Sequence, residues 1–130
     1  MKKDEAQDQK YYQDAEDLPV FVKWMDFIKW LLITTEKFPK KARYTHVVRI
    51  NDIALDVIEE LVEARYSKAK IPHLMRVNLM LEKIRVLLRI CYESRFLPHE
   101  AYKKAMLGIN DVGRMIGGWM RQQKQKGAPA

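Results

Sequence analysis

The chain has 130 residues, of which 48% are hydrophobic and 32% charged, so it is long enough for one globular domain and too apolar for a disordered protein. Charged residues interrupt each apolar run before the roughly 20 residues that a membrane span needs. The N-terminus lacks the apolar core of a signal peptide, and a single cysteine, Cys91, excludes an internal disulfide. These features indicate a cytoplasmic protein.

The formal charge of +7 is unevenly distributed along the chain. Residues 1–20 carry a net charge of −3, residues 21–63 are balanced, and residues 64–130 carry +10. A C-terminal half with this much positive charge favours a polyanion or an acidic protein surface as partner. The alternative is a solvated surface that only keeps the protein soluble.

The first predicted helix follows an arm, residues 1–17, that has no apolar period and is expected to be flexible. The helix is predicted from about Leu18 to Phe38, because Pro39 disfavours the helical conformation of the residue before it. Apolar residues at helical spacing form its inner face: Val20, Phe21, Trp24, Met25, Phe27, Ile28, Leu31, Leu32 and Phe38.

The second helix is predicted from Thr45, as N-cap, to about Ser67. Its inner face contains Val47, Ile50, Ile53, Ala54, Val57, Ile58 and Leu61, and is widened by Val48, Leu55 and Val62. The acids opposite form one stripe: Asp52, Asp56, Glu59 and Glu63. The stripe is either a solvated face or a partner for basic residues of a neighbouring subunit.

Two further helices are predicted to start at prolines, which suit the first helical position. One runs from Pro72 to between Ser94 and Phe96, with Leu74, Val77, Met80, Leu81, Ile84, Leu87, Leu88 and Cys91 inward. The other runs from Pro98 to about Gln122, with Tyr102, Ala105, Met106, Ile109, Val112, Ile116, Trp119 and Met120 inward. Residues 123–130 are expected to be a flexible tail. Short connections between long helices predict an antiparallel up-down-up-down four-helix bundle over residues 18–122, an all-α fold.

One strip on the third helix does not suit an isolated bundle. Met75, Leu79 and Val86 lie opposite the predicted core, beside Arg85 and Arg89. An exposed apolar strip usually meets another chain, so these three residues are predicted to lie in a subunit interface.

No catalytic or metal-binding arrangement is found in the sequence. The residues three positions before His46, His73 and His99 are not acids, so the Glu-x-x-His pairs of a di-iron bundle are absent, and the histidines are expected to cap helices or to be exposed. Cys91 is expected to be an inert buried thiol. The Arg and His spacing of helical HEPN-type ribonucleases is also absent, and no cofactor is expected. Gly113 and Gly117, one turn apart, are expected to allow close helix packing.

The order and spacing of several segments resemble those of a known family. These segments are Lys37–Thr45, Arg49–Asn51, Ala54–Glu59, Glu63–Ser67, Leu87–Ile90 and Ile109–Trp119. Over residues 20–121 the chain resembles the accessory variability determinant (Avd) proteins of diversity-generating retroelements. The resemblance implies a basic homopentameric barrel without enzymatic activity that binds nucleic acid and a partner reverse transcriptase during mutagenic cDNA synthesis and homing. The wider group includes four-helix-bundle proteins encoded by ribosomal RNA intervening sequences, so RNA binding without a reverse transcriptase is the alternative.

The candidate binding residues are chosen by position, since the family supplies no catalytic signature. Those on the outer half of the third helix are Arg76, Lys83, Arg85 and Arg89, preceded by Lys68 and Lys70. The first connection contributes a cluster: Lys40, Lys41 and Arg43. The outer face of the fourth helix contributes Lys103, Arg114 and Arg121. Repeated by symmetry, these cations predict a basic ring that binds a phosphate backbone without sequence preference.

Overall fold

A computed structural model describes residues 18–127, which contain four α-helices and no strand. The helices are α1 (Pro19–Glu36), α2 (Val48–Tyr66), α3 (Ile71–Glu93) and α4 (His99–Gly127). The predicted arm, residues 1–17, and the last residues of the predicted tail, 128–130, lie outside the described residues. The predicted all-α class and number of helices are confirmed.

Each helix packs against the helices before and after it, and α1 and α4 also pack together. Because the connections are short, consecutive helices are antiparallel, and the four form a closed ring around one core. The buried Trp24 of α1 links two of them, since its indole Nε1 donates a hydrogen bond to the Ala54 carbonyl of α2 at 2.9 Å. Within the described residues, no helix has the length and apolarity needed to cross a membrane.

The first connection is more ordered than the sequence predicts. Helix α1 ends at Glu36, although Phe38 is buried as predicted. A 3₁₀ turn (Lys40–Ala42) and a π-helical turn (Arg43–Val47) then lead directly into α2. Thr45 therefore lies inside a helical turn, and the prediction that it caps α2 is wrong. The residue before α2 is Val47, which makes no side-chain capping bond.

The inner face of α2 is narrower than predicted. Ile50, Ala54, Val57 and Leu61 are buried, whereas Val48, Leu55 and Val62 are 45%, 48% and 39% exposed. The latter three are seven residues apart, so they lie on one line of the helix, and 100° per residue places that line opposite the core. The acidic stripe beside it is exposed as predicted.

Helix α3 begins one residue before Pro72 and ends in a left-handed turn. Arg95 has a φ of 64°. The Phe96 amide donates to the Cys91 carbonyl at 2.9 Å, and the Arg95 amide donates to the Tyr92 carbonyl at 3.0 Å. These two bonds are those of a Schellman motif, which ends the helix at Glu93, one residue before the predicted range.

Helix α4 continues to Gly127, past its predicted end at Gln122. The glycine that allows close helix packing is Gly108, where a Cβ would lie 2.8 Å from the Phe27 ring of α1. A Cβ on Gly113 would lie 3.3 Å from Nη2 of Arg85 and 4.0 Å from Leu81, both on α3, whereas one on Gly117 would meet no side chain of another helix within 4 Å. The predicted role in close packing is therefore wrong for Gly117, while Gly113 allows a side chain of α3 to approach closely.

Candidate functional site

The described residues carry most of the positive charge of the chain. Three of the 24 Lys and Arg residues, but six of the 17 Asp and Glu residues, precede residue 18. The helical bundle is therefore more basic than the whole chain, whose formal charge is +7. The candidate cations are separated over several faces of the bundle, so each group is described with its own surroundings.

The arginines of α3 are each bound to a carboxylate. Arg76 Nε lies 2.7 Å from Glu60, Arg85 Nη1 lies 3.0 Å from Glu82, and Arg89 Nε lies 3.0 Å from Glu93. The pair of Arg89 and Glu93 is largely exposed on both sides. Exposed pairs of this kind contribute little to stability because solvent screens them, so Arg89 can exchange its carboxylate for a phosphate at little cost.

Lys70 has a structural contact that the sequence does not reveal. Its ammonium donates to the carbonyls of Ala64, Arg65 and Ser67 at 2.6–2.9 Å and so caps the end of α2. The neighbouring Lys68 is exposed. Of the two lysines that precede α3, Lys68 is thus the one whose side chain is more accessible to a ligand.

The first-loop cluster, Lys40, Lys41 and Arg43, is presented on an ordered surface. All three side chains are exposed, and among the described residues no carboxylate lies within ion-pair distance of them. Lys41 lies 5.4 Å from the centre of the Phe96 ring, where cation–π attraction holds it beside the α3–α4 turn. Buried Phe38 and Ala42 anchor the same connection in the core.

The candidate residues of α4 do not form a single stripe. Lys103 borders a groove against α1, which also contains Trp30 and Asp111. Arg114 and Arg121 border a different groove against α3, together with Arg85. The structure therefore brings together Arg85, Arg114 and Arg121, and leaves Lys103 apart from them. Lys83 is exposed on α3 and borders a third groove, between α2 and α3.

The apolar strip of α3 is exposed as predicted. Met75, Leu79 and Val86 are 58%, 57% and 51% exposed. Val86 borders the groove between α2 and α3, and Val48 of the exposed α2 line borders the same groove. Sequence reasoning assigned that α2 line to the core; its angle around the helix relative to the buried positions is the signal that separates it from them.

A buried carboxylate joins α2 to α3, and sequence reasoning missed it. Glu60 is 9% exposed, and its Oε1 lies 2.7 Å from both His73 Nδ1 and Arg76 Nε. Burial would raise the pKa of Glu60, but the hydrogen bonds and charges of Arg76 and His73 outweigh it and hold this pKa below its usual value. Glu63 lies 3.8 Å from His73, yet the oxygen of Glu60 nearest the histidine already accepts a bond from a cation, which favours a structural ion pair over a metal site. The expectation that His73 is exposed or caps a helix is wrong.

Cys91 is fully buried, as predicted. Burial raises the pKa of its thiol to about 11, so the sulfur is protonated at neutral pH. A protonated buried thiol is a poor nucleophile, which agrees with the expectation of an inert residue.

The comparison with protein families decides which group the chain belongs to. The model of the bAvd-like family matches residues 20–123, a range that includes nearly all of the four helices. The chain belongs to the bAvd-like family. This membership confirms the resemblance to accessory variability determinant proteins, which are accessory and not catalytic components of diversity-generating retroelements. No curated protein matches the chain.

The family match of this bAvd-like protein includes every basic group described above. The first-loop cluster, the arginines of α3 and the groove residues Arg114 and Arg121 all lie between residues 20 and 123. Lys124 and Lys126, near the end of α4, lie beyond the match. The candidate surfaces thus belong to the part of the chain that defines the family.

Proposed function

We propose that this bAvd-like protein is a non-catalytic accessory protein of a diversity-generating retroelement that binds nucleic acid and a partner reverse transcriptase. The family match over residues 20–123 carries the proposal. In this role the protein supports mutagenic cDNA synthesis and homing without performing chemistry itself.

The charge distribution supports the nucleic-acid part of the proposal. The first-loop cluster has three exposed cations and, within residues 18–127, no ion-pair partner. Such cations can each replace a condensed counterion on a phosphate backbone, which makes binding insensitive to sequence and strongly dependent on salt. Arg89 adds a cation whose pairing is exposed and therefore weak.

The exposed apolar lines support self-association. Leu79 and Val86 on α3, and Val48 and Leu55 on α2, leave apolar surface in water on neighbouring helices. Surfaces of this kind are stabilised when another copy of the chain covers them. The proposed assembly is a homopentamer, so light scattering should give a mass about five times the 15.4 kDa of one chain. A monomer at micromolar concentration would contradict the assembly.

The test removes the charge of the first-loop cluster without reversing it. A variant with Lys40→Gln, Lys41→Gln and Arg43→Gln should bind oligonucleotides about tenfold or more weakly in fluorescence anisotropy, since several phosphate contacts are lost together. Circular dichroism should be unchanged, because exposed substitutions of this type usually alter stability by less than about 0.5 kcal/mol each. The matched control removes three exposed lysines on α1 and α4 that are not among the candidate binding residues: Lys23→Gln, Lys29→Gln and Lys104→Gln.

A further variant tests the outer arginines of α3. The double change Arg85→Glu with Arg89→Glu should keep its helicity and reduce both nucleic-acid binding and co-purification with the reverse transcriptase encoded beside the gene. If wild-type protein binds RNA but never co-purifies with that enzyme, the function is that of a ribosomal RNA intervening-sequence protein instead. If wild-type protein binds neither, or if the two triple variants lose affinity equally, the proposed binding surface is wrong.

A further inference from the structure

The groove between α3 and α4 is lined by hydrogen-bond donors and glycines. Its lining residues are Asn78, Arg85, Asn110, Gly113, Arg114, Gly117 and Arg121, and none of them is an acid. By contrast, the groove between α1 and α4 includes Asp26, Glu100 and Asp111. The lining of the α3–α4 groove therefore carries only positive charge, although Glu82 pairs with Arg85 and Asp111 pairs with Arg114 from outside the lining, whereas the lining of the α1–α4 groove carries both signs of charge.

Two guanidinium groups rest over the glycine floor of this groove. A Cβ on Gly113 would lie 3.3 Å from Nη2 of Arg85, and one on Gly117 would lie 3.5 Å from Nη1 of Arg121. Because the glycines are one helical turn apart, their Cβ positions would be roughly 5–6 Å apart, so the two cations lie against neighbouring positions on α4. The absent side chains leave the space in which the two guanidinium groups approach the helix.

Both guanidinium groups retain donors for a ligand. Arg85 donates from Nε to Asn110 Oδ1 at 3.1 Å and from Nη1 to Glu82. These bonds hold the side chain in place and leave Nη2 over Gly113. The guanidinium of Arg121 forms no hydrogen bond or ion pair with residues 18–127. One cation is thus oriented in advance and the other is free to close on a ligand.

We infer that this groove binds a phosphate group of a nucleic-acid backbone, an inference that rests on the proposed function. Guanidinium groups match phosphate oxygens with paired N–H donors. The amide of Asn110 can add a further donor, since its Oδ1 is the atom occupied by Arg85. Residues 112–130 contain no acid, and Lys124 and Lys126 follow the groove along α4. A polymer with regularly spaced phosphates can contact the groove and these lysines together, which a single protein carboxylate cannot.

The experiment places one negative charge inside the groove and an equal charge outside it. Asn110→Asp is isosteric and keeps the acceptor for Arg85, and the resulting carboxylate repels a phosphate. Gln122→Glu makes the same charge change on an exposed position of α4 that is not part of the groove. Fluorescence anisotropy with a labelled 20-base-pair DNA duplex over a salt series should give about tenfold weaker binding for Asn110→Asp and less than about twofold for Gln122→Glu.

A second matched pair removes a cation. Arg121→Gln should make the slope of log affinity against log salt shallower by about 0.9, the value for one lost phosphate contact on duplex DNA. Lys29→Gln, on the exposed surface of α1, should leave that slope unchanged. Neither Arg121→Gln nor Asn110→Asp removes a buried group, so circular dichroism and sizing should match wild type.

The outcomes separate the groove from the wider function. If both groove variants bind DNA as wild type does while the first-loop triple variant loses affinity, the groove assignment is overturned and the proposed function stands. If the groove variants keep DNA affinity but lose the reverse transcriptase in pull-downs, the groove binds an acidic protein surface and the phosphate assignment is overturned. If wild-type protein binds no oligonucleotide at low salt, both the groove assignment and the nucleic-acid function fail.

Discussion

Replacing Glu60 by glutamine should destabilise the fold by about 2 kcal/mol at neutral pH. The side chain of Glu60 is 11% exposed, and one of its oxygens accepts from both His73 and Arg76 at 2.7 Å. Hydrogen bonds to a charged group contribute roughly 1.5–3 kcal/mol and neutral ones roughly 0.5–1.5 kcal/mol, so the substitution loses about 1 kcal/mol per bond. Half of the Arg76 side chain is exposed, and solvent screening of its charge keeps the destabilisation by Glu60→Gln from exceeding about 2 kcal/mol.

The loss of stability in Glu60→Gln should depend on pH, and the sign of this dependence follows from the pKa of Glu60. The pKa of Glu60 is lower in the folded state than its ordinary value of 4.5. The ionised carboxylate therefore stabilises the fold fully above that value, and the contribution disappears as the pH falls through the lower pKa of the folded state. Wild type and Glu60→Gln should consequently differ at pH 7 and converge as the pH falls below the lowered pKa of Glu60 in the folded state.

Urea denaturation followed by circular dichroism at pH 7 and over a series of decreasing pH values measures the effect. Glu59→Gln is the matched control, because Glu59 is adjacent, exposed and without a hydrogen bond among the described residues. It should change the free energy of unfolding by less than about 0.5 kcal/mol. Equal stability of Glu60→Gln and wild type at pH 7, or a difference between them that persists unchanged in acid, would refute the assigned ion pair.

Three further outcomes are expected. Leu79→Glu should dissociate the assembly in light scattering while leaving the helicity of the subunit intact, because Leu79 is 57% exposed in the bundle; loss of helicity with the assembly would show that the residue is part of the core. Gly108→Ala should destabilise the fold by about 1–3 kcal/mol in thermal melts, since the added methyl lies 2.8 Å from the Phe27 ring, whereas Gly117→Ala should stabilise it by about 0.5–1 kcal/mol. Cys91 should react with a thiol reagent only in denaturant, because its pKa is raised to about 11; rapid labelling of the native protein would contradict its burial.

The sequence predicted the features of the bundle that follow from helical periodicity. Leu74, Leu81 and Leu88 repeat at seven-residue spacing within a wider apolar pattern, and all three are buried. The Val48, Leu55 and Val62 line shows the same spacing and is exposed. Periodicity gives lines of apolar residues, and the difference between a line that faces the core and one that faces water depends on its angle to the other buried positions.

Side-chain pairing was less predictable. Glu60 lies between the core positions Val57 and Ala64 on the inner side of α2, a location that could have indicated burial. Its two partners are 13 and 16 residues away on the next helix, and their meeting depends on the rotation of α3 against α2. For the same reason the sequence could not show that Arg85 and Arg121 share a groove while Lys103 faces another helix.

At the turn that contains Arg95, the stability of the backbone conflicts with the positive charge of the surface. A non-glycine residue in the left-handed conformation costs roughly 1 kcal/mol, and Arg95 holds that conformation with its side chain exposed. Arg95→Gly would relieve the backbone and at the same time remove a cation next to Phe96, the ring on which Lys41 rests. A variant designed for a higher melting temperature would therefore carry glycine at position 95, whereas one designed to keep the positive surface would retain Arg95.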